Sequence, residues 1–388
     1  MYSPPLRDGH TWTALELAAG WPLGGEVLAL PDTSRAPRAI IEESVREALL
    51  QRPCVVEFSG GRDSSAILAV AMHVARRDGL EEPVAVTRVY PGSAEADEGA
   101  WPEIVVRHLG VREWERIPIH EELDAVGDIA LKLVRRFGPL WPPAAHSHVP
   151  IFERCRGGAV LTGEGGDTMF GSQRGSPLRR VLARRQRINR AALRALWRSH
   201  APRWLRRRAV FEQQSYSARV SWMTPEAFAA FQELKVAHEL EQPLSWAGSI
   251  GWQLGARSWR IGYAFLEKLA NEHHVALHQP LSTPALAGAL VDDAGYLGFK
   301  SRADAMLGLF GDLLPEAVLR RTTKASFNAS LFGSRSRSFA ASWHGVASFT
   351  GLVEAEAVRE RWLSHAPHPA LIPALQAAWM EGESSTGA

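Results

Sequence analysis

The sequence predicts an α/β protein, a parallel doubly wound sheet joined to a mainly helical C-terminal portion. Three observations carry that expectation. Residues 54–58 (Cys-Val-Val-Glu-Phe) and 159–162 (Ala-Val-Leu-Thr) are short apolar runs that end in glycines, the pattern of buried strands. Residues 84–90 form a third such run, stopped by Pro91-Gly92. Helical stretches lie between the runs on short joints, and strand–helix alternation of that kind builds a parallel sheet. In order, residues 39–51 carry Ile40, Ile41, Val45, Ala48 and Leu49 at helical spacing. Residues 66–77 form a second helix, stopped by Gly79. Residues 101–109 form a third, with Pro102 in the first turn and Gly110 just past the end. Beyond about residue 210 the strand signals fade, and residues 225–240 and 259–274 read as helices.

Composition sets the outer limits. At 388 residues the chain is long enough for two or three domains of ~150 residues. With 46% hydrophobic and 22% charged residues it can bury a core. The net charge of +2 demands neither a nucleic acid nor a membrane as partner. Cys54 and Cys155 are too few for a disulfide framework or a four-thiolate zinc site. No window reaches the ~18 uninterrupted apolar residues of a membrane span, and the start lacks the order of a signal peptide, so a cytoplasmic protein is expected. One asymmetry breaks the even charge. Residues 171–211 contain thirteen arginines and no Asp or Glu. Apolar residues Val181, Leu182, Ile188, Leu193, Leu196 and Trp197 suggest an amphipathic helix there, ended by Pro202. The expected divisions are an N-terminal extension (1–35), an α/β core (36–175), an Arg-rich helical excursion (176–212) and a helical part (213–388).

The sharpest local feature is Phe58-Ser59-Gly60-Gly61-Arg62-Asp63-Ser64-Ser65, between a strand and a helix. Two glycines let the backbone turn tightly and bring its N–H groups to a bound anion. Ser59, Ser64 and Ser65 add hydroxyls, and the helix presents its positive end. No Lys follows the glycines, so this is not a GxxxxGK[ST] loop. Asp63 is out of place beside phosphates unless a cation, Mg²⁺ by preference, sits between them. The second feature, Thr162-Gly163-Glu164-Gly165-Gly166-Asp167-Thr168, also follows a strand. In a parallel sheet both loops share one rim. That rim would bring Glu164 and Asp167 to Asp63.

The pair SGGRDSS and TGEGGDTMFG resembles the synthetase domain of asparagine synthetases, a domain shared with β-lactam synthetases and lasso-peptide cyclases. Residues 277–281 (LHQPL) and 314–327 (LPEAVLRRTTKASF) resemble two further segments of that family. The resemblance implies an adenine nucleotide alpha hydrolase-like fold and an ATP-pyrophosphatase core. It implies ATP phosphates on the loop of Ser59, Gly60, Gly61, Asp63, Ser64 and Ser65, with Gly163 facing it, and adenine against backbone at Phe58 and from Val86 to Arg88. Mg²⁺ would lie between Asp63 and Asp167, with Arg302 or Lys300 at a phosphate. Lys324 would stabilise transition-state charge, and Glu164 and Asp167 would complete the catalytic set. The implied reaction is adenylation of a small-molecule or peptide carboxylate with release of pyrophosphate, then transfer of the acyl group to an amine. A specialised peptide or natural product, such as a macrolactam, is the expected outcome.

The chain departs from the family in places. No glutaminase with an N-terminal Cys is expected, since Tyr2 follows Met1; nitrogen would come from ammonia, a substrate amine or a separate partner. Residues 138–148 lack the acidic residue of many members and offer His146 and His148 instead, either as base or substrate contact or as exposed loop residues. Thr168 replaces the usual Glu, and one residue is inserted before Lys324. The Arg-rich segment reads as a solvated face, as a dock for an acidic peptide or carrier protein, or as a nucleic-acid surface; thin aromatic interleaving argues against the last. Two competing functions remain at this level: a nucleotide-binding regulatory protein without turnover, and a tRNA-modifying adenylating enzyme, which salt-sensitive RNA binding would mark.

Overall fold

A computed structural model describes residues 12–182, 190–211, 220–323, 325–345, 349–365 and 367–386. Five short strands form one parallel sheet: β1 (Cys54–Glu57), β2 (Val84–Val89), β3 (Trp114–Pro118), β4 (Ala159–Leu161) and β5 (Ala276–His278). Their order across the sheet is β3-β2-β1-β4-β5. Helix α1 (Ala14–Ala19) is fastened by a capping box between Thr13 and Glu16. Helix α2 (Pro37–Leu49) precedes β1, α3 (Arg62–Asp78) joins β1 to β2, and α4 (Trp101–Leu109) joins β2 to β3. Helices α5 (Asp128–Phe137) and α6 (Val149–Phe152) lie between β3 and β4, and α7 (Gly166–Phe170) follows β4.

The alternation of β1 sorts its side chains onto two cores. Cys54, Val56 and Phe58 pack with α2, α3 and α4 on one face, while Val55 packs with Val86, Ile117 and Val160 on the other. That second face is covered by α5, by residues 140–152, and by C-terminal helices including Arg257–Glu272 and Ile372–Thr386. Both cysteines are buried and free. Burial pushes their thiols up, Cys54 to about 12 and Cys155 to about 11, which makes them inert core residues.

Three expectations are corrected. Helix α3 begins at Arg62 rather than near residue 66, so Asp63, Ser64 and Ser65 occupy its first turn. Strand β3 was not anticipated, because Trp-Glu-Arg-Ile-Pro is a charged edge strand with Ile117 alone buried. Strand β5 was not anticipated either; three residues are too few to show a period, and it extends the sheet into the helical half. Of the arginine segment the structure describes α8 (Ser176–Leu182), α9 (Arg190–His200) and α10 (Arg203–Phe211); α9 stops just before Pro202, where the helix was expected to end, and residues 183–189, Ile188 among them, lie outside the described residues.

The chain proceeds from β1 outward to β2 and β3, then returns to place β4 on the other side of β1. Loops after β1 and β4 therefore diverge from neighbouring strands. In a doubly wound sheet that divergence opens the crevice in which ligands bind. Both glycine loops sit there.

Candidate active site

The first loop continues the ladder by one residue. Phe58 N–H donates to the Val86 carbonyl at 2.8 Å, and Thr87 Oγ1 donates to the Phe58 carbonyl at 2.6 Å. Gly60 then turns with φ +82, and a Cβ there would stand 2.6 Å from Pro102. Gly61 caps α3 in extended conformation. The Ser59 and Ser64 hydroxyls lie 3.1 Å apart; Ser64 Oγ accepts from Ser59 N–H at 3.2 Å, and Ser59 Oγ accepts from Gly61 N–H at 3.2 Å. The hydroxyls hold the loop closed over the start of a 17-residue helix, whose first amides have no acceptor within the helix. Ser65 Oγ is fully buried and has no hydrogen-bond partner among the described residues.

The second loop is pressed against the first, and its glycines explain how. A Cβ at Gly163 would lie 2.5 Å from Ser64 N, one at Gly165 2.3 Å from Ser282 Oγ, and one at Gly166 2.4 Å from Asp63. The contacts bring Asp63 and Asp167 to a single guanidinium: Arg302, at the start of the helix Arg302–Phe310, donates to Asp63 Oδ2 through Nη2 and to Asp167 Oδ1 through Nη1. Burial pushes the Asp63 carboxyl up, and the Arg302 charge only partly offsets it. Asp63 Oδ1 is buried with no hydrogen-bond partner among the described residues. Two facing carboxylates, one carrying an orphaned oxygen, fit a hard divalent cation. No cluster of three or more His, Cys, Asp or Glu suited to a metal occurs among the described residues. Phosphate and water would therefore complete the shell, as is usual for Mg²⁺.

A second charged group lies on the other face of the sheet. Glu57 ends β1 on the Val55 face. Its Oε1 accepts from Arg88 Nη2, and its Oε2 lies 2.8 Å from His148 Nδ1. His148 Nε2 lies 3.3 Å from Glu164 Oε1, and Gln279 Nε2 donates to Glu164 Oε2 at 3.1 Å. Burial alone would raise the Glu57 carboxyl, yet the charges of Arg88 and His148 hold it down at about 2. Burial alone would depress the His148 ring, yet the Glu57 charge and the bonds to Glu164 and Glu57 raise it to about 10. His148 was singled out from the sequence with solvent exposure as one alternative; it is buried. His146 is buried too, its Nε2–H donating to the Leu123 carbonyl at 2.9 Å, and burial lowers it to about 4, so it is a neutral core residue. Sequence reasoning passed over Glu57. Its signal was a carboxylate closing an apolar strand directly before the loop.

The His148 shift has a consequence for stability. Its contribution is fully present below the unfolded value of 6.5 and is lost as pH rises through about 10. Glu57 contributes above 4.5 and loses its contribution as pH falls through about 2. In urea unfolding, the stability excess of wild type over His148→Gln is expected to shrink between pH 7 and 10. A constant gap across that range would contradict it.

Lys324 lies outside the described residues. Its neighbours are anchored at the first loop: Arg321 Nη1 donates to the Gly60 carbonyl at 2.9 Å, and Nη2 to Glu98, with the guanidinium 5.2 Å from the Trp101 ring. Ser326 N–H donates to the Glu95 carbonyl at 2.7 Å, and Phe327 stacks on Tyr90. Arg88, expected to present backbone to a base, also spends its side chain on Glu57 and Ser147.

The family model described as asparagine synthase matches residues 37–279. That span starts at α2, contains both glycine loops and ends at Gln279, leaving Arg302 and residues 314–327 beyond it. No curated protein matches the chain.

Proposed function

The chain belongs to the asparagine synthase family, whose chemistry is ATP-dependent, AMP-forming amide synthesis, and on that premise we propose that it adenylates a peptide or natural-product carboxylate and transfers the acyl group to an amine, as in macrolactam formation. The observation that supports this reading most is the meeting of the two glycine loops at the sheet's crevice, with Asp63 and Asp167 on one cation.

In this reading a substrate carboxylate oxygen attacks the α-phosphorus of ATP and the bond to pyrophosphate breaks. The loop of Ser59, Gly60, Gly61, Ser64 and Ser65, with the first turn of α3, receives the departing pyrophosphate. Arg302 lies where it can exchange its carboxylates for a phosphate. Lys324, by the resemblance, would supply a cation to the developing charge. Asp63 and Asp167 would hold Mg²⁺, which neutralises phosphate oxygens when bound. Phe58 and the Val86–Arg88 backbone face the base. In the second step the amine nitrogen attacks the acyl carbon, AMP leaves with the oxygen's electron pair, and Glu164 receives the nitrogen's proton.

The arginine segment is proposed to dock an acidic peptide or carrier. Trp204 is 73% exposed and Trp197 43%. Not every arginine faces outward. Arg206 is buried and donates to the Glu239 carbonyl at 3.1 Å, and Arg207 pairs with Glu233 at 2.9 Å, so these two tie α10 to the helix Pro225–Glu241. Among the described residues no helix is long and apolar enough to cross a membrane.

The function is tested by incubating the protein with Mg-ATP and panels of carboxylates and amines. AMP and pyrophosphate formed only with a carboxylate are expected. ADP and phosphate would overturn the mechanism, and ATP binding without turnover across the panels would favour the regulatory role.

A further inference from the structure

Glu164 is held unusually well for a residue on a glycine loop. One carboxylate oxygen faces His148, the other accepts from Gln279, and its backbone carbonyl accepts from Ser282 Oγ at 2.8 Å. Its side chain is nevertheless 44% exposed, whereas that of His148 is 9% exposed. The histidine therefore cannot act on a substrate except through the glutamate.

The protonation of His148 follows from geometry. Both ring nitrogens face carboxylates, Glu57 from β1 and Glu164 from the loop after β4. An ionised carboxylate only accepts, so the 2.8 Å bond from Nδ1 to Glu57 takes one ring proton, and Nε2, 3.3 Å from Glu164, is placed to carry a second, which makes the ring an imidazolium. The groups around it are those two carboxylates, Arg88 from β2, His146 on its own segment, and the Phe152 ring stacked at 5.8 Å. Two cations and two carboxylates balance. Glu57 and Arg88 anchor the ring from inside the sheet, and the ring delivers that anchoring to the rim.

We propose that His148, clamped by Glu57, is a positioning residue that fixes the Glu164 carboxylate at the rim to receive the incoming amine, and so serves acyl transfer but not adenylation. It rests on the proposed two-step function. Asp63, Asp167 and Arg302 serve the phosphates. The Glu57–His148–Glu164 chain serves the nitrogen: it aims a carboxylate that binds the amine and takes its proton as the C–N bond forms and the acyl–oxygen bond to AMP breaks.

The test separates the two half-reactions. ATP–pyrophosphate exchange with a carboxylate reports adenylation, and amide or hydroxamate formation, with primary amines and hydroxylamine as probes, reports transfer. For His148→Phe, which keeps the stack on Phe152, exchange is expected within about twofold of wild type. Transfer should fall on the order of 10- to 100-fold, the usual loss with a charge-assisted hydrogen bond. The loss should appear in kcat/KM for the amine and leave KM for the carboxylate unchanged. His148→Gln, which still offers Glu164 a donor, should recover part of it. Equal losses in both half-reactions, or none in either, would overturn the proposal. A second readout needs no turnover. In ¹⁵N-histidine-labelled protein, with the signal assigned by its loss in His148→Phe, both ring nitrogens should be protonated at pH 8 in wild type and lose that state in Glu57→Gln. A neutral ring at pH 8 in wild type would sink the clamp. Should wild type show no exchange with any carboxylate, the proposed function fails, and the ring spectrum still decides the clamp.

Discussion

Asp63→Asn is expected to lower carboxylate-dependent pyrophosphate release on the order of 10²–10³-fold while leaving the melting temperature unchanged or slightly raised. The two halves of this expectation come from one environment. Asp63 is half-buried and its carboxyl is pushed up, first by burial and further by Asp167, with Arg302 opposing. The fold therefore gains little from Asp63 being ionised, and a neutral amide of the same shape can still accept from Arg302. Catalysis depends on the charge instead. Oδ1 has no hydrogen-bond partner among the described residues, and an amide could supply it to a cation only weakly. Asp167, whose side chain is 60% exposed, should matter less, with Asp167→Asn costing about tenfold. Pyrophosphate release titrated against Mg²⁺, beside thermal unfolding, checks both. A variant that lost activity by unfolding, or one that kept full activity, would contradict the assignment.

Much of this site was legible because its parts are contiguous. Residues 58–65 and 162–168 each write a strand end, a glycine turn and a helix start in one short stretch, and the topology alone brings them to one crevice. Even so, the start of α3 was misplaced. Apolar periodicity begins at Ala66, and the polar first turn hid four helical residues, of which Asp63, Ser64 and Ser65 are the proposed site residues. The Glu57–His148–Glu164 chain was not legible, since Glu57 and His148 are 91 residues apart and only packing joins them. The two histidines were read from a proline-rich loop that suggested solvent. Leu140, Trp141, Ala145 and Val149 instead bury that loop in the core. Arg302 was anticipated as a phosphate contact; that it spans both carboxylates required the fold. Strand β5 escaped notice, yet it leads directly to Gln279 and so to Glu164.

Gly163→Ala should damage both the fold and the site. Its Cβ would stand 2.5 Å from Ser64 N and 2.6 Å from Asp63 C, both backbone atoms in the first turn of α3. No rotamer change relieves that contact. Either the loop after β4 or the start of α3 must retreat by about 1 Å, and Ser65 N–H, bonded to the Gly61 carbonyl at 2.9 Å, ties that turn to the first glycine loop. Misplacement of that size costs about 10²-fold in rate, and overpacking costs about 1–3 kcal/mol in stability. Gly166→Ala makes a useful contrast. Its Cβ would meet the Asp63 side chain at 2.4 Å, which can swing aside, so activity should fall with a smaller loss of stability. Gly308→Ala, in the helix Arg302–Phe310 with nothing within 4 Å of its Cβ, should be neutral or stabilise by about 0.5–1 kcal/mol. Denaturant unfolding and pyrophosphate release across the three variants decide the matter. If Gly163→Ala behaves like Gly308→Ala, the two loops do not meet, and the shared site fails with them. If activity falls in Gly163→Ala and Gly166→Ala but not in Gly308→Ala, the contact between loops is what assembles the site.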